Sequence, residues 1–149
     1  MTVTTRMLQP EDRQQWEQLY KGYAAFYGVP MTEETLEQVW QWIFSEEQPY
    51  FCLVAVNNEQ LLTGLMHFRA MQSPLRGSWA GFLDDLFVSP DARGSGTVDA
   101  LFKALEQSAA DKGWPFVRWI TAENNYRGQA AYDKVADRTR WVTYQMPAG

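Results

Sequence analysis

Hydrophobic positions along the chain switch between two spacings, and the switches mark its elements. VTTRML predicts a short first strand. A helix is predicted from near Pro10, with Glu11 and Asp12 suited to its positive end. Trp16, Leu19, Tyr20, Tyr23, Phe26 and Tyr27 fall on one face of it, and Gly28 and Pro30 stop it. Thr32 can cap a second helix whose stripe is Leu36, Val39, Trp40, Ile43 and Phe44. YFCLVAV and LLTGLMHF then predict a hairpin turned by Asn57 to Gln60. Gly64 inside the second strand marks a bulge or a close backbone approach. WAGFLDDLFV is a long strand, and a glycine loop leads from it into a helix from Val98 to about Asp111. FVRWITA predicts a strand, RGQAAYDKVA a short helix and TRWVTYQM a last strand. The order is β, α, α, three strands, then α, β, α, β. It predicts one α/β domain over residues 1–149 with a mixed, partly antiparallel sheet.

Composition narrows the class. The chain has 149 residues, 46% of them hydrophobic, enough for a packed core. No apolar run approaches the roughly 18 residues of a membrane span, and the first residues hold no apolar signal region, so the expectation is a cytoplasmic protein with no membrane partner. With one cysteine, Cys52, and one histidine, His67, the usual zinc ligand sets are excluded and no metal is expected. Cys52 lies in an apolar run and is expected to be a buried hydrophobe. Residues 1–60 carry three basic and nine acidic side chains, against ten and nine in the remainder. Such a balance argues against nucleic acid as a partner. It fits a cationic ligand near the N-terminal part and an anionic one near the rest, or simply a solvated acidic helix pair.

Two places carry candidate chemistry. In DARGSGTVDA, Gly94 and Gly96 follow Arg93 where a strand feeds a helix. Free N–H groups at the helix start, two permissive glycines and one cation can hold a diphosphate, and the same loop can also be an ordinary turn. It lacks the lysine of a nucleotide-triphosphate loop, and Asp99 stands where a dinucleotide fingerprint has its third glycine. The second place is Asp84 and Asp85, in the middle of an apolar strand. Aspartate is a poor strand residue, and adjacent positions point to opposite faces. A salt bridge, for example to Arg118, or a bulge would make the pair structural, and a base or substrate anchor would make it functional.

The loop resembles the acetyl-CoA pyrophosphate motif of the GCN5-related N-acetyltransferases, Gln/Arg-x-x-Gly-x-Gly/Ala. Arg93 and Gly96 match, and Val98 departs from the last position. NNYRGQAAYDK is similar to a second segment of that family, with Asn125 and Tyr132 in place and Gly128 where alanine is common. The aromatic first helix and the acidic pair resemble its small-amine, polyamine and histone-type branches. The resemblance implies a mostly antiparallel central sheet flanked by about four helices. It implies that the chain is an N-acetyltransferase with acetyl-CoA as co-substrate. Main-chain N–H groups from Gly94 through Ser95, Gly96 and Thr97 to Val98 would then hold the pyrophosphate, beside Arg93. Main chain at Leu86, Phe87 or Val88 would stabilise the thioester oxygen. Asn125 would bond the pantetheine amides, and Tyr132 would be the general acid. Asp84 or Asp85 would anchor or deprotonate the amine. Tyr23 and Tyr27 would line the acceptor slot, with Phe26 more at home in the core and His67 and Trp79 weaker candidates. The expected partner is a small amine or amino acid. A protein acetyltransferase and a non-catalytic acyl-CoA sensor are the alternatives, and a homodimer is left open.

Overall fold

The computed structural model describes residues 3–47 and 50–149. They form two compact units, residues 1–119 and 120–149. In the first unit the strands are β1 (Thr4–Met7), β2 (Tyr50–Val56), β3 (Leu62–Ser73), β4 (Ser78–Val88) and β5 (Val117–Arg118). They lie side by side in chain order, antiparallel except for the parallel pair β4–β5.

Helices α1 (Arg13–Phe26) and α2 (Glu33–Phe44) cover one face, and α3 (Thr97–Asp111) the other. Trp16 and Leu19 of α1 and Leu36 and Val39 of α2 pack on Cys52, Val54, Val56 and Leu65. On the opposite face Phe51 and Phe68 stack and meet Trp114, just beyond α3. Burying each such large apolar side chain contributes roughly 1.5–3 kcal/mol, so these two layers dominate the unit's stability.

Local chemistry sets the helix boundaries. Asp12 ends a 3-10 turn that leads into α1; it accepts 2.7 and 3.0 Å bonds from Arg6 and a 2.8 Å bond from the Gln9 N–H. The Arg6 guanidinium holds the Asp12 carboxyl below the usual range, against the cost of burial. This bidentate pair ties β1 to the start of α1. Gly28 follows α1 with φ of 67°. Thr32 caps α2, its hydroxyl accepting from the Thr35 N–H at 3.1 Å. Gly64 meets both of its expectations. The β2–β3 register slips beside it, and a Cβ there would lie 3.2 Å from Leu101 and Thr97 of α3.

The second unit contains α4 (Tyr126–Tyr132). Two expectations near the C-terminus fail. FVRWITA yields only the two-residue β5, and TRWVTYQM forms neither strand nor helix. Alternation predicts a strand only where another strand supplies hydrogen bonds, and among the described residues none pairs with TRWVTYQM. Trp141, Val142, Tyr144 and Met146 are accordingly exposed. Among the described residues, no helix is long and apolar enough to cross a membrane.

Candidate active site

The site begins with a break in the alternation of β4. Strict alternation would put Gly81, Leu83, Asp85 and Phe87 on one face. Gly81 does face Trp114: a Cβ there would collide with the indole. Phe87 instead faces α1, 3.0 Å from a Cβ built on Gly22. The reversal happens at Asp84. His67 is opposite Asp85 and Phe68 is opposite Leu83, so Asp84 is an extra residue with no partner across the ladder. A bulge of this kind flips every later side chain to the other face. It brings Asp85 under α1 rather than under α3.

There Asp85 enters a ring of donors. His67 Nδ1 is 2.8 Å from Oδ2, and the Tyr20 hydroxyl donates to the same oxygen at 3.0 Å. Tyr23, one turn further along α1, packs its ring on Tyr20 and edge-on to Phe87. Burial pushes this carboxyl up, but His67, through its hydrogen bond and its electrostatic pull, together with the tyrosine hydroxyls of α1, outweighs it and holds it below its ordinary value. The phenols respond in the opposite sense. Burial first, then the charge of Asp85, pushes Tyr20, Tyr23 and Tyr50 well up, so they remain protonated donors. Behind the carboxylate, the fully buried His67 accepts at Nε2 from Trp16 Nε1 at 3.0 Å. Among the described residues, no buried side-chain nitrogen or oxygen lacks a partner.

Asp84, one residue away, pairs with Arg69 at 3.0 Å. Burial raises its carboxyl and Arg69 opposes the rise. The partner weighed from sequence, Arg118, stacks on Phe116 instead. Tyr23 lies on the Asp85 side of α1 against Tyr20, whereas Tyr27, just past the end of α1, is half exposed, its ring 4.9 Å from Tyr23. Phe26 is 62% exposed, which overturns its assignment to the core. Trp79 is exposed as well. Tyr20 and Trp16 were not singled out in the sequence for the site. Their signal was the spacing Trp16, Tyr20, Tyr23, Tyr27, which carries polar ring tips along one helical face.

The end of β4 supplies main-chain donors. Ser89 N–H donates to Thr63 O on β3, so alternation turns the N–H groups of Leu86 and Val88 away from β3, and that of Phe87 toward it. The ladder with β5 stops at Phe82 and Arg118. Leu86 and Val88 therefore present N–H groups on an edge with no strand partner among the described residues. Arg93 Nε donates to Val88 O and stands over the Phe87 ring. A cleft of about 700 Å³ runs beside α1, with Gln18, Gly22, Phe26, Phe87, Ser89 and Arg93 in its walls.

The glycine loop has the geometry for an anion. Gly94 and Gly96 take φ of 80° and 84°, and Gly96 is the N-cap of α3. A Cβ on either would meet nothing within 4 Å, so the backbone turn, not crowding, demands glycine. The first intrahelical bond runs from Ala100 N to Gly96 O, leaving the N–H groups of Thr97, Val98 and Asp99 outside the helix ladder. Ser95 Oγ bonds to Ala92 O and to the Thr97 hydroxyl, bracing the turn. Val98 is half buried, and it contributes to the loop through its main chain. Three N–H groups outside the helix ladder at a positive helix end make a donor set that suits a diphosphate.

Within the second unit, Asn125 caps α4. Its Oδ1 accepts from the Gly128 N–H at 3.1 Å, and its Nδ2 donates to Thr121 at 2.9 Å. A Cβ on Gly128 would collide with this side chain, which explains glycine where alanine is common in the resembled motif. Tyr132 is half buried at the last position of α4.

A family model described as the acetyltransferase (GNAT) family matches residues 16–136. The D-amino-acid N-acetyltransferase HPA3 of Saccharomyces cerevisiae is 25% identical over 144 residues, covering 96% of this chain and 89% of its own. Among solved structures, a ribosomal-protein-alanine N-acetyltransferase from Brucella melitensis aligns over 99% of this chain and 100% of its own, at 22% identity and a TM-score of 0.81. The aminoglycoside 6'-N-acetyltransferase AAC(6')-Ih of Acinetobacter baumannii gives the same coverage at 17% identity and a TM-score of 0.80. At these identities the structural matches show a shared fold.

Proposed function

Because the chain belongs to the acetyltransferase (GNAT) family and is an acetyl-CoA-dependent N-acetyltransferase, we propose that its acceptor is a small primary amine or amino acid held by Asp85. One observation carries this reading. Asp85 is a carboxylate held below its ordinary value in an aromatic pocket, and its partners there are an imidazole and a tyrosine hydroxyl rather than a guanidinium or ammonium. A carboxylate and tyrosine rings together suit an alkylammonium. The HPA3 relative, whose name specifies D-amino acids, supports including amino acids in this class.

Magnitudes decide between anchor and base. At pH 7 only about one in 2,500 amines with a pKa near 10.4 is free base. Asp85, held below the ordinary carboxylate value, is a far weaker base than such an amine. Proton transfer from the ammonium onto it would be strongly uphill. Asp85 therefore anchors the cation, and the proton leaves to solvent. Asp84, neutralised by Arg69, supports the strand.

Bound acetyl-CoA supplies the acetyl group as a thioester, and its transfer to an ammonium yields an amide, the free thiol and one proton. Gly94 to Val98 and Arg93 hold the diphosphate. Leu86 and Val88 N–H groups face the open edge of β4, where they can pair with an extended chain of amides or stabilise a developing oxyanion. Asn125 orients the pantetheine arm and Tyr132 protonates the departing thiolate; both roles rest on the family resemblance.

Thiol release from acetyl-CoA, measured across diamines, polyamines, D- and L-amino acids, aminoglycosides and peptides, tests the reading. Turnover is expected with small amines and to rise with pH toward the amine pKa. Turnover with peptides alone would overturn the acceptor class. Tyr132→Phe is expected to lower kcat at least tenfold with little change in coenzyme Kd, and an unchanged kcat would remove Tyr132 as the acid.

A further inference from the structure

His67 looks like a base, but its hydrogen bonds exclude that role and point to another. An indole N–H can only donate. His67 Nε2, 3.0 Å from Trp16 Nε1, must therefore be the acceptor and carry no proton. The ring proton is then on Nδ1, directed at Asp85 Oδ2 across 2.8 Å. Both ring nitrogens are committed, and the ring is fully buried. The groups packed around it are Trp16 and Tyr20 of α1, Tyr50 and Cys52 of β2, and Asp85 of β4. Asp85 is the only one of these that carries a charge.

We propose that Trp16 and His67 are positioning residues. The Trp16 N–H fixes the His67 proton on Nδ1, and that N–H, with the Tyr20 hydroxyl, orients the Asp85 carboxylate for the acceptor's ammonium. The proposal rests on Asp85 as the anchor. It also explains the bulge: without it, Asp85 would not lie opposite His67 on the α1 face. The device works through two neutral bonds. A charged imidazole at this place would instead compete with the ammonium for Asp85.

His67 is the only histidine in the chain, so its ring can be observed without assignment. With ring-15N histidine in the full-length protein, a long-range proton–nitrogen spectrum is expected to show the tautomer with Nδ1 protonated and Nε2 bare. A proton on Nε2, or an imidazolium at pH 7, would overturn the proposal without any variant being made. Trp16→Phe frees Nε2. It is expected to lower kcat/KM for the amine about fivefold to tenfold and to add an inflection between about pH 6 and 8, the histidine range, that the parent lacks. A kcat/KM profile like the parent's would count against the relay. The two amide variants separate the bonds. His67→Asn retains a donor near the Nδ1 position and is expected to keep acceptor KM within about threefold. His67→Gln keeps an acceptor toward Trp16, loses that donor and is expected to raise KM about tenfold. Equal KM in both would refute the assignment. If Asp85→Asn leaves acceptor KM unchanged while the ring spectrum is as expected, the anchor reading fails and the tautomer stands.

Discussion

The proposed acceptor end and the proposed coenzyme end of this molecule are built in opposite ways. The hydrogen-bond partners of the Asp85 carboxylate are side chains that come from far along the sequence: Tyr20 is 65 positions away, and Trp16 lies 51 from His67. The loop from Arg93 to Val98 is a run of consecutive main-chain groups with one added cation. A main-chain site tolerates changes of side chain provided the turn survives. A side-chain site depends on each atom it uses, because a buried donor left without an acceptor costs about 1–3 kcal/mol. The two ends should therefore fail differently.

Asp85→Asn provides the largest contrast. It keeps the size and an acceptor oxygen but removes the charge. Losing one partner of a buried charge pair costs roughly 2–5 kcal/mol, so kcat/KM for the amine should fall on the order of a hundredfold to a thousandfold. Coenzyme affinity, measured by calorimetry, should hold. A matching fall in coenzyme affinity would mean that the two ends are not separate.

Gly96→Val should produce the mirror image. A β-branched residue at φ near 84° is strained by about 1–3 kcal/mol, and the loop would relax away from its present turn. Coenzyme Kd should rise roughly tenfold to a hundredfold, while acceptor KM at saturating coenzyme stays close to the parent value. Unchanged coenzyme affinity would sink the loop's assignment, since nothing but the turn requires glycine there.

The same contrast explains what could be read from the sequence. The loop was legible because its parts are contiguous and glycine at a positive φ is a local demand. The order of elements through α4 was legible for a similar reason, since hydrophobic period is local. The orientation of the acidic pair was not, because the bulge at Asp84 is fixed by pairing with β3, and no period in WAGFLDDLFV records it. Nor was the fate of TRWVTYQM, whose alternation says nothing about whether a partner strand exists. His67 was visible as a lone histidine on an apolar strand. Its role depends on Trp16, and the pairing of those two is a property of the packed fold.

The smallest predicted effect lies within the acidic pair and concerns stability. The Asp85 carboxyl is held below its ordinary value, so its ionised form stabilises the fold above about pH 3.9, and that contribution is lost as pH falls further, through its folded value. Asp84 is raised, chiefly by burial and despite Arg69, so the folded chain binds its proton more tightly than the unfolded chain does. Its contribution therefore has the opposite sign: stability rises as pH falls from the raised value toward about 3.9. Urea denaturation of the parent, Asp84→Asn and Asp85→Asn between pH 3 and 7 isolates the two slopes. Asp84→Asn should make the acid loss steeper just above pH 4, because the opposing term is gone. Asp85→Asn should make it shallower below pH 4. At neutral pH, Asp84→Asn should change stability little, since Arg69 is half exposed and can be solvated when its partner is neutral. If both variants shift the acid limb in the same direction, then the bulge does not separate the environments of these adjacent carboxylates.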